Sequence, residues 1–367
     1  MILFLFYTEA LFTQDSTLIN LPLMTWYQIP NSKLESVKPN PLPAGYFSAI
    51  IDAWSGGAFD SKRNRLIVWG GGHSDYAGNE VYVFDLNNLK WTRLTDPSRD
   101  VGGNESSGEY PDGNPRSRHT YNYIQYVPTI DKFFTFGGHG LYPSGQIGTN
   151  KTHSFNFETN LWTRESETPC YGIGAISAID MYTGNAWVHG TGGSSTGRLA
   201  RYDPYADSWT VHSDYDATIA WNYYLTADID PKRKKLVAIG RGDIYSWDIS
   251  DLSNVIKTNL HTTGDTDIID AASPGFQYDP VGDCFVAWKG GLTLYSLNIE
   301  SAVWTKLTLQ GSNPGAAAEY GTFGRFRYVP SINGFVLVNS VNDDVFFVKI
   351  SHSFEKPQTP QNLRILK

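Results

Sequence analysis

Residues 58–94 read AFDSKRNRLIVWGGGHSDYAGNEVYVFDLNNLKWTRL, and the plan returns at 125–165 as QYVPTIDKFFTFGGHGLYPSG, a spacer, and HSFNFETNLWTRE. Each unit runs from a short strand through a turn to a hydrophobic strand ending in Gly-Gly. A loop follows, then an alternating strand, a turn and Trp-Thr-Arg. Four short β runs bounded by turn residues make a four-stranded meander. A repeat period near 50 residues signals stacked sheet units rather than one continuous sheet.

Fainter copies continue outward from this pair. AIDMY at 178–182 precedes AWVHG at 186–190, LARYD at 199–203 and Trp209. Residues 225–230 precede KLVAIG at 235–240 and IYSWD at 244–248. FQYDP at 276–280 precedes CFVAW at 284–288, LYSL at 294–297 and Trp304. RYVP at 327–330 precedes FVLV at 335–338 and VFFV at 345–348, but no fourth strand follows. TWYQIP at 25–30 reads as that missing strand, supplied by the N-terminus to close a ring. Six units in 367 residues give about 61 per unit, and glycines break the chain too often for a long amphipathic helix. The expected fold is all-β, a six-bladed β-propeller over residues 21–354, with seven blades as the alternative if a unit lies in 96–115 or 253–270.

Composition narrows the function. At 41% hydrophobic, 14% aromatic and 18% charged, the chain is globular rather than disordered. A net charge of −8 argues against a general nucleic-acid or anionic-membrane binder, while leaving room for a local basic pocket. Cys170 and Cys284 are too few for a disulfide scaffold and form no CxxC metal site. The apolar run at residues 1–12 is interrupted by Glu9, has no preceding Lys or Arg, and is too short to span a bilayer. Residues 1–20 therefore read as an N-terminal arm or weak signal-like segment.

Gly71-Gly72 with the 82–91 strand pair, and Gly137-Gly138 with 155–162, resemble kelch repeats of the galactose-oxidase-like type. The pattern is partial in the other four units. The resemblance implies a kelch-like propeller, a fold that serves enzymes, adhesins and scaffolds alike. PQTPQNLRILK, at 357–367, looks like a linker and the first strand of a fibronectin-type module. Residues 355–367 would then lead into a further module of an extracellular or secreted protein.

In a kelch-type blade, the loops between strands two and three and those entering strand one open on the same face. That geometry gathers His73, His119 and His139, with Tyr76, Tyr121, Tyr142, Tyr223, Tyr320 and Trp221, and with Arg118, Arg198, Arg241 and Arg325. The opposite face, made of tight turns such as 87–88 and 131–132, offers no comparable cluster in the sequence. Trp91, Trp162, Trp209 and Trp304 read as filler between blades, and the basic run 232–235 as a solvated turn. A galactose-oxidase copper centre needs a Cys–Tyr cross-link that neither cysteine is placed to make. The oxygens of 75–80 lack the regular spacing of a calcium loop. No cofactor is expected, with structural calcium or zinc left open.

His119 and His139 stand 20 positions apart, similar to the His arrangement of propeller-type (ulvan-type) polysaccharide lyases. That resemblance implies β-elimination on a uronate-containing glycan, which needs a base, an acid and a cation on the carboxylate. Histidine suits the base, and Tyr121, Tyr223 or Tyr245 the acid. Arg118, Arg198, Arg241 or Arg325 would hold the carboxylate. His73, Tyr76, Tyr142, Trp221 and Tyr320 would line the sugar. The expected partner is thus a polysaccharide or glycan. The alternatives are a non-catalytic glycan-binding or adhesion module and a kelch protein-interaction scaffold.

Overall fold

The computed structural model describes residues 16–191, 197–213, 216, 218–219 and 222–351. The expectations for residues 1–15, for the 355–367 linker and for Trp221 lie outside the described residues.

Six antiparallel sheets form the six blades. Blade 1 consists of Gly57–Asp60, Arg65–Val68, Tyr82–Asp85 and Lys90–Arg93, in that spatial order. The inner strands of the others are Ile124–Val127, Ala175–Ile179, Thr226–Asp230, Gly275–Asp279 and Phe326–Val329. Each inner strand packs on the next, and Phe326–Val329 returns to Gly57–Asp60, so the ring closes at six. The stretches weighed for a seventh blade hold only two 3-10 turns (Glu105–Ser107 and Thr266–Ile268), the fourth strand of blade 4 (Ile256–Asn259) and a short parallel addition to blade 5.

Closure comes from the N-terminus, as the repeat pattern predicted. Thr25–Gln28 pairs antiparallel with Phe346–Lys349, with Thr25 opposite Lys349 and Gln28 opposite Phe346. Trp26 thereby takes the place that Trp91, Trp162, Trp209 and Trp304 hold in their own blades, opposite a third-strand side chain. In blade 4 the tryptophan sits across the ladder instead: Trp247, on the third strand, faces Lys257.

Burial follows the same sixfold plan, with one apolar cluster between each pair of neighbouring blades. The turns repeat too. Asn64, Asp131, Gly184, Lys234, Asp283 and Asn333 all adopt left-handed backbone just before the second strand. Buried Asp60, Asp230 and Asp279 accept backbone N–H bonds across their turns, the Asx geometry that a short polar side chain offers. The basic run 232–235 is more than a solvated edge. Arg233 forks onto Asp283 of the next blade at 2.6 and 2.9 Å, as Arg63 forks onto Asp131 at 2.6 and 2.8 Å. These forks hold adjacent turns in register at the lower rim.

The closing strand is anchored by Trp26. Trp26 is buried, donates its indole N–H to the Leu292 carbonyl at 3.1 Å and meets Trp288 edge-on. Replacing it with alanine removes that bond and opens a large cavity, a loss of about 3–5 kcal/mol. Urea denaturation of Trp26→Ala is expected to show the loss, whereas a change below about 1 kcal/mol would mean the strand does not hold the ring.

Candidate functional site

Where the inner strands begin, at the upper mouth, the strand-one entry loops lie against one another. Trp54, Tyr121 and Phe323 each precede their strand by three residues and each has positive φ, at 47, 43 and 48°. Bulky side chains avoid that region, so the surrounding loops must impose it. Tyr121 N–H donates to the Trp54 carbonyl at 2.7 Å, and Phe323 N–H to that of Ser273 at 3.1 Å. These bonds fix the loops that carry the site.

A cavity of about 530 Å³ opens there. Three imidazoles, those of His73, His119 and His139, reach its wall together with Asp52, Asp75, Tyr46, Trp54, Tyr121 and Tyr320. Four rings stack in a column. His73 lies parallel to His119 at 5.6 Å, His119 rests on Trp54 at 4.8 Å, and Trp54 on Tyr320 at 3.9 Å. His119 Nε2 meets Asp75 Oδ2 at 3.2 Å, and His73 Nδ1 meets the Ser74 hydroxyl at 3.0 Å. The main chain joins the other pair, with His119 N–H donating to the His139 carbonyl at 3.0 Å.

One loop cradles all three imidazoles. A Cβ on Gly140 would lie 2.6 Å from His119 Nδ1, one on Gly145 1.7 Å from His73 Cδ2, and one on Gly148 3.0 Å from His139 Cδ2. Gly140 and Gly145 also have positive φ. The loop after Gly137-Gly138 is therefore glycine-rich because rings occupy the space where side chains would be.

Electrostatics set the proton inventory. Burial lowers the His119 pKa, against the pull of Asp75. Burial, followed by the charges of His119 and His73, pushes His139 down to about 4. Burial holds the Tyr121 phenol well above its ordinary value, with Tyr224 and Tyr223 adding to the effect. Burial also raises Asp52, partly offset by a Ser48 hydrogen bond. Near neutrality His119 and His139 are uncharged and able to accept a proton, while Tyr121 retains one to give.

The other expected residues are placed elsewhere. Arg118 and Arg325 are fully buried, and carbonyls take their guanidinium N–H groups. Arg118 bonds Arg116, Gly137 and Gly108; Arg325 bonds Ser55, Val338 and Gly321. Both staple upper loops together and do not line the cavity. Tyr76 is buried and donates its phenol to Glu80. That pairing engages the buried Glu80 carboxylate inside blade 1, away from the cavity wall, which Asp75 lines and Glu80 does not. Tyr142 uses its carbonyl on Arg116, Arg241 lies 4.4 Å over Tyr224, and the Tyr245 hydroxyl points to the Thr218 carbonyl. Arg198 is exposed, and its carbonyl accepts from the Cys170 thiol. Tyr223 packs beside Gly174 and Tyr224, near Tyr121 but outside the cavity wall. Among the described residues no group of three His, Cys, Asp or Glu is arranged to hold a metal ion.

Asp52, Trp54, Tyr46 and the pairing role of Asp75 were missed in the sequence. The first three belong to the approach to blade 1, upstream of the repeat unit as read at residue 58. The available signal was positional, because Trp54 stands before its strand as Tyr121 does before the next.

Two outcomes follow. In an NMR titration, the His139 imidazole is expected to have its midpoint at about 4, and a midpoint at or above 6.5 would contradict its burial. Because the folded state binds protons on His119 and His139 less readily than the unfolded chain, their contribution to stability is fully present above about 6.5 and is lost on acidification below it. Gly140→Ala is expected to displace His119 from Asp75, seen as a changed His119 imidazole signal in an otherwise folded protein; an unchanged signal would refute the cradle.

No family model matches the chain, and no curated protein matches it. Among solved structures, that of YjhT aligns with a TM-score of 0.52 at 14% identity, covering 83% of this chain and 99% of that one. At that identity the likeness carries the fold alone, and the fold it supports is the propeller.

Proposed function

We propose that this protein is a carbohydrate-active propeller of the kelch-like kind, which holds a sugar in its upper cavity and moves protons on it through His119. The observation that carries this reading is a nearly buried imidazole, paired with Asp75 and facing a solvent-open cavity rimmed by Trp54, Tyr320 and Tyr46. Aromatic rims suit the apolar faces of sugar rings, and the cavity lies in the size range of small-ligand sites. Asp75 bound to Nε2 favours the tautomer protonated there, leaving Nδ1 as the acceptor. In hydrolysis of a glycosidic bond, His119 takes a proton from the water whose oxygen bonds to the anomeric carbon, and Tyr121, kept protonated by burial, gives its proton to the glycosidic oxygen as the C–O bond breaks.

The charge of the wall selects among glycans. Elimination on a uronate needs a cation on the carboxylate, yet among the described residues neither Lys nor Arg lines the cavity, while Asp52 and Asp75 do. A neutral or amino sugar fits this wall better than the uronate expected from the lyase resemblance. A glycan substrate also suits the extracellular setting proposed for the chain.

Calorimetry and product analysis on a panel of neutral, amino and uronate oligosaccharides test the reading. Binding is expected for a neutral or amino sugar, and His119→Gln is expected to retain it while lowering turnover roughly a hundred- to ten-thousand-fold. Sugar binding without turnover in the unmodified protein would leave a binding module. No binding by any sugar, or an unsaturated product from uronates alone, would overturn the assignment.

A further inference from the structure

The lower mouth, which showed no cluster in the sequence, contains a second cavity of about 420 Å³. Its collar takes one side chain from the turn end of each inner strand: Phe59, Tyr126, Ile179, Ile229, Tyr278 and Tyr328. The outer rim adds Met181, Tyr182 and Val281, which are 48, 74 and 50% exposed. Large apolar side chains left in water around a concavity mark a binding surface rather than ordinary exposure.

The floor is polar and unequal in its unused capacity. Arg327 is buried and already committed, donating to the Gly324 carbonyl at 2.8 Å, the Gly57 carbonyl at 2.6 Å and Gln125 Oε1 at 3.1 Å. Asp228 lines the same cavity and accepts the Tyr278 N–H at 2.7 Å. It feels the charge of Arg327, and among the described residues no ion pair joins the two. Asp228 is half-buried at the cavity, and a partly desolvated carboxylate without a salt-bridge partner is stabilised by a ligand cation.

We propose that the lower cavity is a second binding site, for a primary amine carried on an apolar or aromatic body. The body fills the six-residue collar, where Tyr126, Tyr278 and Tyr328 offer rings to a nearby cation, and the ammonium reaches Asp228. The net charge of −8 favours the approach of a cation over an anion. This site does not depend on the chemistry of the upper cavity.

Calorimetry with benzylamine, benzyl alcohol and benzoate tests the inference, since the three share a ring and differ in charge. Saturable benzylamine binding is expected, with the alcohol and the acid about tenfold weaker or worse. Asp228→Asn is expected to reduce benzylamine affinity about tenfold, and Tyr182→Ala, on the exposed rim, severalfold. Should Asp228→Asn fail to fold, the probe series and Tyr182→Ala still decide the matter. Absence of saturable benzylamine binding, equal binding of the alcohol, or undiminished affinity in a folded Asp228→Asn protein would overturn the proposal.

Discussion

Both mouths depend on the pairing of Thr25–Gln28 with Phe346–Lys349. A blade buries its faces only against neighbours, so an open stack of six would leave two apolar sides in water. The N-terminal strand makes the last blade from both ends of the chain, which removes those sides and fixes the ring. Once closed, the ring brings loops from distant segments into contact. Trp54 and Tyr320 are 266 positions apart, yet their rings stack.

Within that frame the upper site is organised by packing more than by charge. His73 and His119 stack, all three imidazoles pack against glycines, and burial lowers the pKa values of His119 and His139. Asp75 supplies the side-chain hydrogen bond that orients His119. The cations expected at the mouth lie inside the loops, where Arg118 and Arg325 satisfy carbonyls that turns leave unpaired. The two mouths thus differ in kind: titratable rings above, and an apolar collar with one carboxylate below.

The fold was legible because its signal repeats. The units at 58–94 and 125–165 established the meander, and the isolated TWYQIP supplied the closing strand. The histidines were legible for the same reason, since blade geometry sends the loops holding His73, His119 and His139 to one face. The arginines were not. A sequence marks Arg118 and Arg325 as cations on upper loops but does not show that carbonyls from segments as distant as Ser55 will enclose them. The lower collar escaped notice because its residues, such as Phe59 and Tyr278, look like ordinary strand positions, and only their sixfold recurrence at one rim makes a cavity. The pairing of His119 with Asp75 depends on two loops 44 positions apart, which no local pattern encodes.

The central claim is that the upper mouth is a sugar site built around His119. A crystal structure of the protein with a bound oligosaccharide tests it most directly. The account predicts a sugar oxygen or C–H within reach of the His119 ring, with the sugar against Tyr320 or Tyr46. A sugar seated elsewhere on the propeller, with His119 still enclosed by Trp54, His73 and Asp75 and out of its reach, would contradict it.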